Sequence, residues 1–200
     1  MKTKLSRFHK VLIQLLLCSL PLSSLWSQIR KDEPSSSDPV YESEKLDFRY
    51  LPPYNMRDKT GRSAANLEDQ AKALHIKSRA ELLLSMSSGP DDKAAGWHSL
   101  TIVAYPRDAY GDLDDVRAEA KMNDWVGGSP ASASVPARQV LISDQPFLVS
   151  VFAVQQGSVM KGAVVFTTIR KGKLLSFAFA ANSPERLKEL TDTMKSVQFF

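Results

Sequence analysis

Between residues 138 and 181 the β-prone runs follow one another with only turn-length breaks. The runs are Arg138 to Ser143, Phe147 to Val154, Val159 to Arg170 and Lys173 to Ala181. Asp144-Gln145-Pro146, Gly157-Ser158 and Lys171-Gly172 separate them. Breaks this short and this rich in turn formers join antiparallel neighbours, so a meander of three or four strands is expected here. In the last run Phe177 and Phe179 alternate with Ser176, Ala178 and Ala180, the pattern of a strand with one bulky face. A C-terminal helix should follow, with Ser183 as cap and Pro184 in its first turn. Its apolar stripe of Leu187, Leu190, Met194 and Val197 would face the sheet.

Upstream, Phe48, Tyr50 and Leu51 suggest a short strand stopped by Pro52-Pro53, which cannot continue a ladder. A helix is expected over Ser63 to Leu74, with Leu67, Ala71 and Leu74 on one face. Glu81 to Ser88 and Ser99 to Tyr105 read as a hairpin whose long tip carries Gly89-Pro90-Asp91-Asp92. Asp112 to Trp125 reads as a helix capped by Asp112, with Leu113, Val116 and Ala120 as its buried stripe and Gly127-Gly128 as its stop. Helices placed between blocks of antiparallel strands give an α+β class: a mainly antiparallel sheet flanked by helices.

The early aromatic strand closing on Pro52-Pro53 carries a resemblance. So do the final strand Lys173-Leu174-Leu175-Ser176-Phe177-Ala178-Phe179, the helix start Ser183-Pro184-Glu185 and the ending Met194-Lys195-Ser196-Val197-Gln198-Phe199. Over residues 45–200 this pattern resembles the PsbP-like α/β/α sandwich of the photosystem II extrinsic protein and small bacterial envelope proteins. The resemblance implies a non-enzymatic binding or assembly role and assigns no functional residue.

The first 27 residues run from basic (Lys2, Lys4, Arg7, Lys10) through an apolar stretch, Val11 to Leu22, to small residues ending at Ser27. That order is expected of a secretory signal peptide cleaved before Gln28, and the apolar stretch is well short of the roughly 20 residues that span a bilayer. Residues 28–39 (QIRKDEPSSSDP) read as a flexible polar tether, and residues 40–200 as a single domain. Export implies a periplasmic or extracellular location. Cys18, the only cysteine, lies inside the apolar stretch behind Leu17, which is not the arrangement of a lipidated cysteine. The mature chain would then have no thiol and no disulfide. The four leading cations account for the formal charge of +4, and 22 basic and 22 acidic residues remain from Gln28 onward. A neutral domain lacks the basic footprint of nucleic-acid binding.

Candidate chemistry is sparse. Asp91, Asp92 and His98 could hold a metal with open positions, as in a metal-dependent hydrolase; a solvated acidic turn explains the same residues. His75 is the only other histidine after the leader. Asp108, Asp112, Asp114 and Asp115 suggest calcium by their oxygen density, but EF-hand spacing is absent and helix capping accounts for them. Gly157 to Gly162 begins like a phosphate loop, then has Ala163-Val164 where Lys-Ser/Thr is required. There is no Gly-x-Ser-x-Gly elbow. Arg170, Lys171 and Lys173 at a hairpin tip, with Lys161 one strand away, form a possible anion patch or simply a solvated turn. Phe152, Phe166 and Phe177 suggest a small-ligand pocket, which would make the chain a carrier; ordinary core explains the same residues. Phe199-Phe200 would pack on a sheet edge rather than close a barrel, for which the strands are too few.

The leading expectation is therefore an exported non-catalytic domain, without cofactor, binding a protein or envelope component through a sheet edge or loops. The loop Gly127 to Ala137 and the tip Gly89 to Gly96 are the expected contact surfaces. A metal-dependent hydrolase and a small-ligand carrier are the alternatives.

Overall fold

The computed structural model describes residues 40–65, 80–90, 93–127, 133–156 and 159–200. Among them the chain forms ten strands: β1 (Tyr41–Ser43), β2 (Phe48–Tyr50), β3 (Arg57–Asp58), β4 (Glu81–Ser87), β5 (His98–Pro106), β6 (Ala133–Ile142), β7 (Gln145–Gln156), β8 (Val159–Arg170), β9 (Lys173–Ala181) and β10 (Gln198–Phe199). Helix α1 is described over residues 60–65; α2 is Asp115–Gly127 and α3 is Pro184–Asp192. The main sheet has seven strands in the order β3-β4-β5-β9-β8-β7-β6, all antiparallel. A second, three-stranded sheet has the order β1-β2-β10. The α+β class and the antiparallel sheet flanked by helices are as the sequence implies. β1, β3 and β10, of two or three residues each, are too short to show a period, and the sequence does not announce them.

The alternation of β9 divides the molecule. Leu175, Phe177 and Phe179 face the small sheet and α3, joining Phe48, Tyr50, Leu100, Ile102, Phe147, Leu190, Met194 and Val197 in one buried cluster. Phe177 stands at its centre, with ring centroids 5.6 Å from Phe48, 5.7 Å from Tyr50 and 6.1 Å from Phe147, each edge-on. Edge-to-face rings of this kind add to the area they bury, and truncating such a residue to Ala costs about 3–5 kcal/mol. Leu174, Ala178 and Ala180 point the other way, toward Ala118, Met122 and Val126 of α2. The small side chains there let the helix lie close over β7, β8 and β9. The α1 residues reach the same face, where the Ser63 hydroxyl donates to that of Ser85 at 3.1 Å.

Two turns close the meander without spare residues. Ser143-Asp144 (φ 49° and 61°) and Lys171-Gly172 (φ 48° and 70°) both adopt the left-handed pair of a type I′ hairpin. The first differs from the expected turn: Gln145 and Pro146 belong to β7. Gly157-Ser158 lies outside the described residues, as does the expected helix beyond residue 65. In α3, Ser183 caps as expected, its hydroxyl accepting from the Arg186 N–H at 3.2 Å. The helix ends at Asp192 and tightens into a 3-10 turn, Thr193–Ser196, before Val197 leads into β10. Phe199 pairs with Phe48 at the edge of the small sheet, where terminal aromatics were expected to pack.

Candidate functional site

The charged residues that the sequence nominates for chemistry are mostly held in structural pairs. Asp114, rather than Asp112, caps α2: its Oδ1 accepts from the Arg117 N–H at 2.8 Å. Asp115 pairs with Arg107 at 3.1 Å, and the Arg107 guanidinium also donates to the carbonyls of Leu113 and Gly111. Asp114 and Asp115 are thus part of a helix start, paired with Arg117 and Arg107. The cap's position turns the helix relative to the expected stripe. Val116 is 49% exposed, and Ala118, Glu119, Met122, Asn123 and Val126 are buried instead.

Two of those buried residues are polar. Asn123 is fully occupied: its amide donates to Leu148 O and Ser150 Oγ, both at 3.0 Å, and its carbonyl accepts from Thr167 Oγ1, which in turn accepts from Ser176 Oγ at 2.5 Å. Glu119 sits one turn earlier. Burial pushes its carboxyl from the ordinary 4.5 up to about 7, and Asp115 adds to the shift while Arg107 opposes it.

The basic hairpin tip is likewise engaged. Arg170 donates to Leu46 O at 3.1 Å, Asp47 O at 3.3 Å and Phe200 O at 2.7 Å, and lies 5.2 Å from the centre of the Phe199 ring. Lys171 pairs with Asp47 at 2.5 Å and Lys173 with Glu81 at 2.6 Å. Lys45 shares Glu81 at 2.9 Å, and these ammonium groups hold the Glu81 carboxyl below its ordinary range. Lys161 does not belong to this tip. It lies at the other end of β8, 2% exposed, with its Nζ 4.7 Å from the centre of the Trp97 ring.

Of the metal candidates, Asp91 and Asp92 lie outside the described residues, as does His75. His98 begins β5, and its Nδ1 is 2.8 Å from Gly96 O. No group of three potential metal ligands occurs among the described residues. The three phenylalanines proposed for a carrier pocket are separated by the sheet itself. Phe166 and Phe177 are paired across β8 and β9 on the small-sheet side, whereas Phe152 packs against α2 on the opposite face. They are core, because strand parity sends them to different layers. The loop 128–132 and residues 91–92 of the two expected contact surfaces are outside the described residues.

The surface feature that sequence reasoning missed lies where β2 ends. Leu51, Pro52, Pro53 and Tyr54 form one wall of an open hollow of about 410 Å³; Asp192, Thr193, Lys195 and Ser196 form the other. Two interactions fix its walls. The Leu51 N–H donates to Ser196 Oγ at 3.1 Å, and the Tyr50 hydroxyl donates to Thr193 Oγ1 at 2.6 Å, since Thr193 gives its own proton to Leu190 O. Lys188 and Lys195 hydrogen-bond Asp192 and hold its carboxyl down to about 2. Two apolar residues of the hollow are open to solvent: Leu51 is 41% exposed and Tyr54 63%. The proline pair was legible as a strand stop, but its second partner, the 3-10 turn after α3, is 140 residues away in sequence.

No helix among the described residues is long and apolar enough to cross a membrane. No protein-family pattern matches the chain, and no curated protein matches its sequence. Similar solved structures include a protein of Bacteroides thetaiotaomicron, at 13% identity and a TM-score of 0.44, covering 80% of this chain and 48% of that one. The chain therefore spans about half the length of that protein. LpqN of Mycobacterium tuberculosis, described as involved in cell envelope biogenesis, is similar at 11% identity and a TM-score of 0.41, over 76% of this chain and 82% of its own. Cyanobacterial PsbP (CyanoP) from Synechocystis is similar at 15% identity and a TM-score of 0.47, over 81% of this chain and 92% of its own, and its family is the one the sequence pattern resembles.

Proposed function

We propose that this chain is a non-catalytic extracytoplasmic binding domain that takes an extended segment of a protein partner into the hollow beside Leu51–Tyr54. One observation carries the reading: exposed Leu51 and Tyr54, with two prolines between them, gather at a concave site with a polar far wall. Grooves lined by aromatic and proline side chains suit extended peptides, whose backbones find the hydroxyls and charges at the rim. The basic-apolar-small order of residues 1–27 supports the extracytoplasmic part.

The test is capture from the host's own cell envelope by the wild-type chain and by a Leu51→Ser/Tyr54→Ser variant. Both residues are surface-exposed, so the variant should melt within a few degrees of wild type. A partner held by the wild type and released by the variant supports the reading. Equal capture by both chains overturns it.

A further inference from the structure

β6 closes one edge of the main sheet, and among the described residues no strand lies beyond it. Its first half is a poor template for pairing. Pro136 has no N–H, and the register with β7 shifts twice before Arg138. From Arg138 to Ile142 the register is regular. Ile142 and Gln145 flank the two-residue turn and exchange hydrogen bonds, as do Val140 with Phe147 and Arg138 with Val149. Leu141, between them, stands opposite Pro146, which has no N–H to give. The N–H and C=O groups of Gln139 and Leu141 therefore point to the open side of the sheet.

A regular edge of this kind is a template for one more strand. Leu141, at its middle, is 73% exposed, and Val140 and Ile142 are half-buried on the small-sheet side. The charges along the stretch are Arg138 at one end and Asp144 at the other. Both are exposed, and neither has a side-chain partner among the described residues. The turn that carries Asp144 is held in place, since the Ser143 hydroxyl donates to Val197 O at 2.5 Å. An antiparallel copy of the same edge brings the opposite charges together. With Leu141 facing Leu141 at a two-fold axis, Val140 falls opposite Ile142 and Arg138 opposite Asp144, each twice. Outward-pointing residues then meet outward-pointing ones, so the two Leu141 residues exchange hydrogen bonds. Registers displaced by two residues set Arg138 against Ile142 or Pro146 and lose both ion pairs.

We infer that two copies of this chain pair through Arg138–Asp144, antiparallel about Leu141, and so join their seven-stranded sheets edge to edge. Such a contact uses the same surface on both copies and closes at a dimer. The other edge of the sheet, β3, has two residues and offers no comparable ladder. The inference does not rest on the partner-site reading above.

The test is sedimentation equilibrium of the chain purified from its own host, as wild type and as the variants Arg138→Glu and Asp144→Lys. Both side chains are exposed, so each variant should melt with the wild type. Lys is tolerated at the φ of 61° that Asp144 adopts, as Lys171 shows at 48°. The wild type should dimerise with concentration. Each variant alone sets like charges against each other at both ends of the ladder, and its self-association should weaken about tenfold. Mixed in equal amounts, the two variants should recover the wild-type affinity, because each new charge meets its opposite on the other chain. A second measurement fixes the axis. With Cys18→Ser, Leu141→Cys should form an intermolecular disulfide several-fold faster than Gln139→Cys, since the two-fold axis brings only the former pair within reach. A wild type that stays monomeric leaves the edge to a strand of another protein and overturns the pairing. A dimer that both variants keep, a mixture without recovery, or equal oxidation at 139 and 141 overturns it as well.

Discussion

Leu187 of α3 lies so close over β8 that a Cβ added to Gly162 would stand 2.7 Å from its Cδ2. The missing side chain at 162 therefore sets how near α3 approaches the sheet. Leu187 is flexible enough to step aside for a methyl group, so Gly162→Ala should change stability little. Gly162→Val should overpack the site and cost about 1–3 kcal/mol. Leu187→Ala should recover part of that loss in a double-mutant cycle read by urea denaturation. Additive losses would mean that the two side chains do not meet.

Asn123 fixes α2 on the sheet through three hydrogen bonds made away from water. Asn123→Ala would leave Leu148 O and the Thr167 hydroxyl short of a partner, at a cost of about 2–3 kcal/mol. The urea midpoint should fall with an unchanged slope.

Glu119 makes stability depend on pH with a defined sign. Its carboxyl is raised from 4.5 to about 7 in the folded protein, so the folded state binds the proton more tightly than the unfolded state does. Both states are protonated below about 4.5, where Glu119 has no net effect. Stability is then lost as pH rises through that value to about 7, by on the order of 3 kcal/mol, and is not regained above it. Glu119→Gln should remove this slope. The variant should gain over wild type at pH 8 and match it at pH 4, as measured by urea midpoints at both values.

Arg170 gathers the turn at Leu46–Asp47 and the carbonyl of Phe200 onto the end of β8. Arg170→Ala should speed hydrogen exchange in β10 and around residues 44–47 and cost about 2–3 kcal/mol, since these are bonds from a charged donor. Arg170→Lys should restore little, because an ammonium cannot span three carbonyls as the guanidinium fork does.

The sequence was legible where local chemistry and tertiary need coincide. Ser183 and Pro184 start a helix by their own bonding, and the alternation through Phe177 and Phe179 reports a sheet with two different sides. It was misleading at α2. There the buried face is completed by Glu119 and Asn123, so a search for apolar period selected Val116, which faces water. A polar residue such as Asn123, satisfied by partners on β7 and β8, looks in one dimension like a solvent-facing one. The hollow was invisible for a related reason. Leu51–Tyr54 and Thr193–Ser196 meet only because β2 joins β10, a strand of two residues with no readable pattern.

The strand order has a consequence for the time course of folding. β9 pairs with β5 as well as with β8, so the hairpin of β4 and β5 leans on a strand more than 60 residues further along the chain. The meander from β6 to β9 can form from neighbours alone, whereas the β5–β9 seam closes a long loop and should come late. On a chain made from its amino end, β5 waits with one open edge until residues 173–181 have emerged. During that interval Leu100 and Ile102, both fully buried in the finished protein, stay uncovered, and the half-made molecule is most open to misassembly with its own kind.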